Sequence, residues 1–537
     1  MFKILVSDSL PAAILERYNS FEDIVVDNKA GISKEDLMEI LPQYDALVVR
    51  SRTKATKEVL ERGTNLKVIG RAGAGVDNID TAEATHRGII VMNTPGGNTI
   101  AATEHTIAMM LAALRNIPNA NVSIREGKWD RKTYMGHEIF EKTVGVIGLG
   151  KIGRGVAQRL AAFGATIIGY DPILTKEMAD RIGVELVNIN ELLKRSDIIT
   201  VHAPKIPETK NMLNTENFKK CKDGVVIVNC ARGGIVNEQD LVKALDSGKV
   251  AVAAVDVYES EPPTYWDLAK HPKVVATPHL GASTEEAQTK VADQILQQII
   301  EYHRKHVALN AVNFISVDEK IQPIIEPYFK LAEKLGMLFS QIRVGRLKEV
   351  AIRFYGKITE LPDAPIASHL MAGALRSGGS DEASHDVDLL NMVNSLAIAR
   401  EKGINIEITR KDQPLTSFTN LIACDFHTEA GMIHLAGTVY AKDIYRLVEF
   451  DKYNGDVDLS GKLIIVENKD VPGVIGKVGT ILGDHKINIS NFSSRRVKAD
   501  KMAANIFNVE GDLNGHLQKQ LEAIADVKRV FLAKIED

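Results

Sequence analysis

Short apolar runs punctuate the first half of the chain, each separated from the next by a stretch of helix length. The first series is KILVSD, ALVVR, KVIGRAG and IIVMN; the second is TVGVIG, TIIGYD, IITVHAP, VVIVNCA, AVAAVDV and KVVATPH. Within a run the apolar positions are continuous rather than alternating, so both faces of each strand expect burial, the pattern of a parallel sheet with crossover helices. The six strands of the second series match a complete doubly wound nucleotide-binding sheet, which leaves the first hundred or so residues to form an α/β lobe of their own. Between the series, GGNTIAATEHTIAMMLAALRNI is an Ala- and Met-rich helix able to bridge the lobes. After TPHLGAST comes a second long helix, EEAQTKVADQILQQIIEYHRKH, and then ALNAVNFIS, where the chain is expected to return to the first lobe. The pattern predicts a discontinuous lobe of residues 1–98 and 285–315, an inserted lobe of residues 99–284, and a cleft between them as the default ligand site.

Beyond residue 317 the texture changes. QPIIEPYFKLAEKLGMLFSQI predicts a helix and KEVAIRFYGKI a strand; after the Gly/Ser-rich RSGGSDEASHDV, alternating strands continue to FDKYNGDVDLSG. This segment, 317–458, carries no readable chemical motif and is expected to be an α+β domain. The last unit, 462–537, orders KLIIVEN, VIGKVGTILGDHK, INISNFSSRRV, MAANIFNV, GHLQKQLEAIA and VKRVFLAKI as β-α-β-β-α-β, a ferredoxin-like module.

Composition excludes several classes of function. With 45% hydrophobic and 25% charged residues and a formal charge of -4, nothing invites nucleic acid or an anionic membrane as a partner. Cys221, Cys230 and Cys424 have no C-x-x-C spacing, so no disulfide framework or metal site is expected, and a reducing cytoplasm fits. MFKILVSDSL reads as a buried strand rather than a signal segment.

Chemistry first declares itself in GVIGLGKIGRGVAQRL, where Gly148, Gly150 and Gly153 fit G-x-G-x-x-G between a strand and a helix. Asp171 ends the next strand, a little over 20 residues after Gly148, where a carboxylate bonds the adenosine ribose hydroxyls and repels a 2′-phosphate. NAD is therefore the expected cofactor. Three more groups sit at C-terminal strand ends: Arg232 in NCARGGIVNE, Asp256 and Glu261 in AAVDVYESEPP, and His279 in ATPHLGAST. Taken singly, Arg232 could cap a carbonyl, Glu261 could be solvated and His279 could be a satisfied histidine. Together they suit hydride chemistry on a 2-hydroxy acid. Imidazole accepts the hydroxyl proton, a carboxylate orients it, and a guanidinium fork holds the substrate carboxylate.

The combination of GLGKIG, YDP, VHAP, NCARGGIVNE, DVYESEP and TPHLGAST, over roughly residues 1 to 315, resembles the D-isomer-specific 2-hydroxyacid dehydrogenases. The resemblance implies two Rossmann-like doubly wound lobes, an oxidoreductase activity, and Arg232, Glu261 and His279 as the catalytic set. It places cofactor contacts at Lys151 and Ile152 after Gly150, at Asp171, at Ala203, at Cys230, Ala231 and Arg232, at Asp256 facing the nicotinamide carboxamide, and at His279, Gly281 and Ala282. Ala74 and Ala203 stand where relatives often carry a hydroxyl residue, so only backbone contacts to the cofactor are expected there.

VVRSRTK, GRAGAGVDNID, NTPGGNT, GKWDRKTYMG and the C-terminal extension are most similar to the branch of that family acting on 3-phospho-D-glycerate. A phosphorylated acid needs a second anion site, for which Arg50, Arg71, Gly73 and Asn98 are candidates, joined by Lys132 from a neighbouring subunit of a dimer or tetramer. Arg52 and Arg131 are read as surface charges. DVPGVIGKVGTIL and INIS resemble the ACT domain, an amino-acid-binding regulatory fold, which implies Asn468, Asp470 and Asn488 as contacts for an L-serine effector. Segment 317–458 resembles the intervening domain of the longer enzymes, with Lys442, Arg446 and Lys452 as a candidate basic cluster. Two alternatives remain open from sequence: a glyoxylate or hydroxypyruvate reductase, and an NAD-sensing, corepressor-like binding protein on the same fold.

Overall fold

The structure is a computed structural model and describes all residues except 316, 319, 377–388, 412–417, 498–499 and 536–537. The Gly/Ser-rich stretch from residue 377 lies outside the described residues.

The first sheet is wholly parallel and comprises β1 (Phe2–Val6), β2 (Ile24–Asn28), β3 (Ala46–Val49), β4 (Val68–Arg71) and β5 (Ile90–Met92) in the order β2-β1-β3-β4-β5. Its continuous apolar runs serve two cores. Ile4 and Val48 pack on one face against Val291, Ile295 and Ile299 of the helix Glu285–Lys305, while Leu5, Leu47 and Ile69 pack on the other with Val59 and Leu60. The chain thus returns to this sheet after residue 284. Val312 N–H donates to Val91 O at 2.8 Å, and the Asn313 amide bonds both Val91 N–H and Ile89 O. The sequence pattern identified four of the five strands; β2 escaped it because IVVDN turns polar after its first three residues.

The second sheet holds β6 (Thr143–Ile147), β7 (Thr166–Tyr170), β8 (Glu185–Leu186), β9 (Ile198–Val201), β10 (Val225–Asn229), β11 (Val250–Val255) and β12 (Val274–Ala276), ordered β12-β11-β10-β9-β6-β7-β8. The order reverses between β6 and β9, the switch point where doubly wound sheets place their ligands. There are seven strands rather than six. The extra one, β8, is a two-residue edge pairing to β7 and offers no apolar run to detect. The helix Thr99–Leu114 lays Ile107, Met110, Ala113 and Leu114 on one face of this sheet, so it belongs to the inserted lobe and links it to the first through residues 93–98.

The third sheet, β13 (Leu347–Gly356), β14 (Asn405–Lys411), β15 (Asn420–Thr428), β16 (Gly431–Ala441), β17 (Ile444–Phe450) and β18 (Tyr453–Asp458), runs β14-β13-β15-β16-β17-β18. All neighbours are antiparallel except β13 and β14. The helices Gln322–Ile342 and Asp363–Leu375 cover one face. The fourth sheet, β19 (Gly461–Lys469), β20 (Asn488–Val497), β21 (Met502–Glu510) and β22 (Val527–Ile535), has the order β20-β21-β19-β22 with every pair antiparallel, the split-βαβ arrangement of a ferredoxin-like fold. Its helices bury one face through Val478, Leu482, Leu517 and Leu521. Its other face is not bare. Leu463, Ile465, Ala504, Ala533 and Ile535 join the core built on the helix Gln322–Ile342, so the two C-terminal units share one apolar interior. Among the described residues no helix is long and apolar enough to cross a membrane.

Candidate active site

The glycine loop closes at the switch point. Gly148 has φ of 89°, and a Cβ there would lie 2.6 Å from His202 O; Gly153 brings the following helix so close that its Cβ would fall 2.0 Å from Gly148 O. Gly150 differs: nothing lies within 4 Å of where its Cβ would stand. Backbone packed tightly on both sides of an open position at a helix N-terminus fits a pyrophosphate. Asp171 closes the adjoining turn, its carboxylate accepting from Leu149 N–H at 2.8 Å and Ile173 N–H at 2.9 Å. Lys151 reaches out of the loop to Pro95 O at 3.3 Å, against Gly96 of the connection between lobes, and Ile152 packs into the core beneath.

The remaining strand ends of this lobe converge beside it. Ala203 borders the core after β9. After β10, Asn229 pins the next turn by accepting from Ala231 N–H at 3.1 Å and donating to Arg232 O at 3.0 Å. Cys230 is a free thiol whose burial pushes it up to about 12, leaving it neutral. His279 Nδ1 lies 2.7 Å from Glu261 Oε2, and Glu261 Oε1 accepts from Tyr258 N–H at 3.2 Å. Burial pushes the Glu261 carboxyl up, but the hydrogen bond and charge of His279 outweigh it and hold it below its ordinary range. His279 itself has φ of 55°, an uncommon conformation for a residue with a side chain.

Asp256, expected to face the nicotinamide, is engaged with the loop after β12. It is fully buried; Oδ1 accepts from Thr277 Oγ1 at 2.6 Å and Leu280 N–H at 2.8 Å, and Oδ2 accepts from Gly281 N–H at 2.9 Å. Both oxygens therefore hold the 277–281 stretch of this loop, through Thr277, Leu280 and Gly281, with Ala282 next in the chain. His105 Nε2 stands 3.2 Å from Oδ1.

Across the cleft the first lobe presents a cluster of guanidinium groups. Arg232 Nε donates to Asp77 Oδ2 at 3.0 Å, joining the two lobes, and its Nη2 lies against Gly75, 2.0 Å from where a Cβ would sit. Arg71 packs its guanidinium on Gly73 and donates to Asn78 Oδ1 at 3.1 Å; burial first, and then the charge of Arg232, lowers it to about 10. The charge of Arg50 acts on Arg71 in the same sense, and burial lowers Arg50 in turn. Buried Asp8 organises this edge by accepting from Arg50 N–H, Thr53 and Arg52 Nε. Arg52 is exposed, as a surface charge is, while its guanidinium is also tied to Asp8, Ser7 O and Ile32 O. Ala74 offers a carbonyl, which accepts from the Asn93 amide. The Asn98 Oδ1 is buried without a partner at the junction of the lobes, as an unused ligand contact would be. Lys132 lies apart, exposed in a loop with Trp129 and Met135. Among the described residues no group of acids, histidines and cysteines could hold a metal ion.

Sequence reasoning passed over Asp77, Asn78, Asn229 and His105. The first three lie inside motifs that were read, GVDNID and NCARGG, but are common turn residues; His105 sits within the Ala- and Met-rich helix, where no motif sets it apart. In the C-terminal module the effector candidates separate. Asn468 is buried, its Oδ1 accepting from the Asn505 amide within the sheet, whereas Asp470 pairs with Arg496 at 3.3 Å and Asn488 donates to Glu510 from the start of β20. In the intervening unit Lys452 pairs with Asp500 and Arg446 with Asp456, so two of the three basic candidates already face carboxylates.

Comparison with known proteins agrees with this architecture. Residues 107–281 match the D-isomer specific 2-hydroxyacid dehydrogenase NAD binding domain, residues 324–451 the D-3-phosphoglycerate dehydrogenase intervening domain, and residues 462–526 the ACT domain. The chain is 39% identical to the D-3-phosphoglycerate dehydrogenase of Bacillus subtilis over 99% of both proteins, and 42% identical to that of Archaeoglobus fulgidus over 91% of both. Among solved structures, a glyoxylate reductase from Paecilomyes thermophila superposes on 58% of this chain and 98% of its own, with a TM-score of 0.54 and 33% identity.

Proposed function

The chain belongs to the D-3-phosphoglycerate dehydrogenases, NAD-dependent oxidoreductases of the 2-hydroxyacid family, and on that premise we propose that its site oxidises 3-phospho-D-glycerate to 3-phosphohydroxypyruvate, the entry step to L-serine. The observation that carries this reading is the convergence of Arg232, Arg71 and Arg50 at the cleft. A lone carboxylate needs one guanidinium fork; three such groups, two of them with pKa values lowered by burial, suit an acid with a second anion.

NAD, when bound, supplies the hydride acceptor. Arg232 holds the substrate carboxylate and so fixes the direction of the C2 hydrogen, since orientation is worth several powers of ten in rate. His279 Nε2 takes the hydroxyl proton, with Glu261 holding Nδ1 and favouring the protonated ring. Arg50 and Arg71, with Gly73 and the Nδ2 donor of Asn98 beside them, receive the phosphate end. Lys132 serves the site only from a neighbouring subunit; exposed Ile117, Val122, Trp129 and Met135 around it support a homodimer or tetramer built on this face. The ACT unit is read as a serine-responsive domain acting through Asp470 and Asn488. The free thiols fit a cytoplasmic setting.

NADH oxidation with 3-phosphohydroxypyruvate beside hydroxypyruvate and glyoxylate, with and without L-serine, tests the reading. Preference for the phosphorylated acid that is lost in Arg50→Ala supports it. Equal rates on all three acids point to a general reductase, and no turnover points to an NAD-sensing protein.

A further inference from the structure

His105 lies on the helix Thr99–Leu114, outside every strand-end loop from which the catalytic set is drawn. It nevertheless reaches the residue around which the His279 loop is wound. Its Nε2 stands 3.2 Å from Asp256 Oδ1 and 3.4 Å from Thr277 Oγ1, and its side chain is 19% exposed. Asp256 in turn accepts from Thr277, Leu280 N–H and Gly281 N–H, and its carbonyl accepts from His279 N–H at 2.8 Å. His279 sits between these bonds in a left-handed conformation, which persists only where the surroundings over-determine it. We propose that His105 is a positioning residue of the reaction: through Asp256 it holds the loop that presents His279, and so ties the inter-lobe helix to the proton-transfer group. The proposal rests on the dehydrogenase reading above and adds to it a residue outside the catalytic set.

Asp256 is a fully buried carboxylate. Such a group keeps its charge only if partners replace the water it has lost. The charge of Asp256 also acts on Cys230, Tyr258 and Glu261, none of which helps. Cys230 and Tyr258 are pushed up to about 12 by burial and stay neutral, and Glu261 carries the same sign. Burial pushes Asp256 up as well, yet the hydrogen bonds from His105, Thr277 and Leu280, the first-named largest, bring it below its usual range. Without His105 the carboxyl takes up a proton at higher pH, and a carboxylic acid cannot accept from all of its loop partners at once. The loop then loosens where His279 is attached, while the glycine turn and Arg232 keep their own supports.

The test compares His105→Leu with His105→Gln, which retains a neutral donor of similar reach. In His105→Leu, kcat for reduction of 3-phosphohydroxypyruvate falls about tenfold at neutral pH and is progressively recovered as pH rises, while KM for the acid and NADH affinity by fluorescence stay within threefold. Protection of the Leu280 and Gly281 amides from hydrogen exchange, which needs no turnover, falls in His105→Leu and returns in His105→Gln. A kcat within twofold of the parent with unchanged amide protection overturns the proposal, as does a pH-independent loss shared equally by both variants, which marks a packing role. Failure of the dehydrogenase reading is separate, since the parent protein itself then turns over no 2-oxo acid; amide protection still decides the loop's dependence on His105.

Discussion

Replacing Gly75 by alanine isolates the contact between lobes that places Arg232. Gly75 does not have a positive φ, so alanine's backbone is tolerated and the effect is steric. The new methyl would stand 2.0 Å from Arg232 Nη2 and 2.7 Å from Asp77 Oδ2, where ordinary contact begins at 3.4 Å. The guanidinium must therefore retreat by about 1.4 Å, and Asp77, its partner at 3.0 Å, is displaced with it. A misplacement of roughly 1 Å in a substrate-orienting group costs on the order of a hundredfold in rate, about 2.7 kcal/mol of transition-state stabilisation. We expect kcat/KM for 3-phosphohydroxypyruvate to fall about a hundredfold in steady-state NADH oxidation, with NADH affinity by fluorescence titration unchanged because the glycine turn is untouched. In an Arg232→Ala background the same substitution should add less than about twofold, since the group it displaces is gone. A kcat/KM within threefold of the parent in the single variant, or full additivity with Arg232→Ala, would refute the assignment of Arg232 to the substrate carboxylate.

Other substitutions probe the remaining parts. His279→Asn should lower kcat by about a thousandfold while NADH binding survives, and turnover near that of the parent removes the proton-transfer role. Asp171→Ala should weaken NADH binding about tenfold if the carboxylate that closes the glycine turn at Leu149 N–H also bonds the ribose, as proposed; an unchanged affinity in fluorescence titration counts against that placement. With Arg71 lowered to about 10, its charge is present below that pH and lost as pH rises through it, so KM for the phosphorylated acid should climb above pH 10 relative to KM for hydroxypyruvate; parallel KM profiles argue against a phosphate contact. In the third sheet His434 lies between Asp425 at 2.5 Å and Glu449 at 2.7 Å. Burial lowers its pKa, but the two carboxylates outweigh this and raise it. That pair of contacts stabilises fully below the unfolded value of 6.5 and is lost as pH rises through the raised folded value. His434→Gln should cost about 3 kcal/mol at pH 6 and less at pH 9 by thermal unfolding, and a pH-independent difference contradicts the linkage.

Local chemistry makes much of this protein legible in its sequence. Continuous apolar runs announce buried parallel strands because each residue's burial on both sheet faces is written at its own position. The glycine loop and the strand-end positions of Asp171, Arg232, Glu261 and His279 were readable for a related reason: the chemistry proposed for a turn, a ribose contact and a base each demands a particular side chain at a strand end, whatever the rest of the chain does. β2 and β8 fell below that threshold, one turning polar early and the other spanning two residues.

Contacts between distant positions were decided only by the tertiary structure. Arg232 meets Asp77 across 155 residues of sequence, and His105 meets Thr277 across 172. The family resemblance implies a cofactor contact for Asp256, but which groups fill its oxygens depends on how the 277–282 loop wraps it. The four-stranded module likewise reads as independent from its own β-α-β-β-α-β pattern, yet its helix-free face is closed by the helix Gln322–Ile342. A one-dimensional pattern specifies which face of an element must leave water; it does not specify the partner that covers it, because any apolar surface of matching shape lowers the free energy as well.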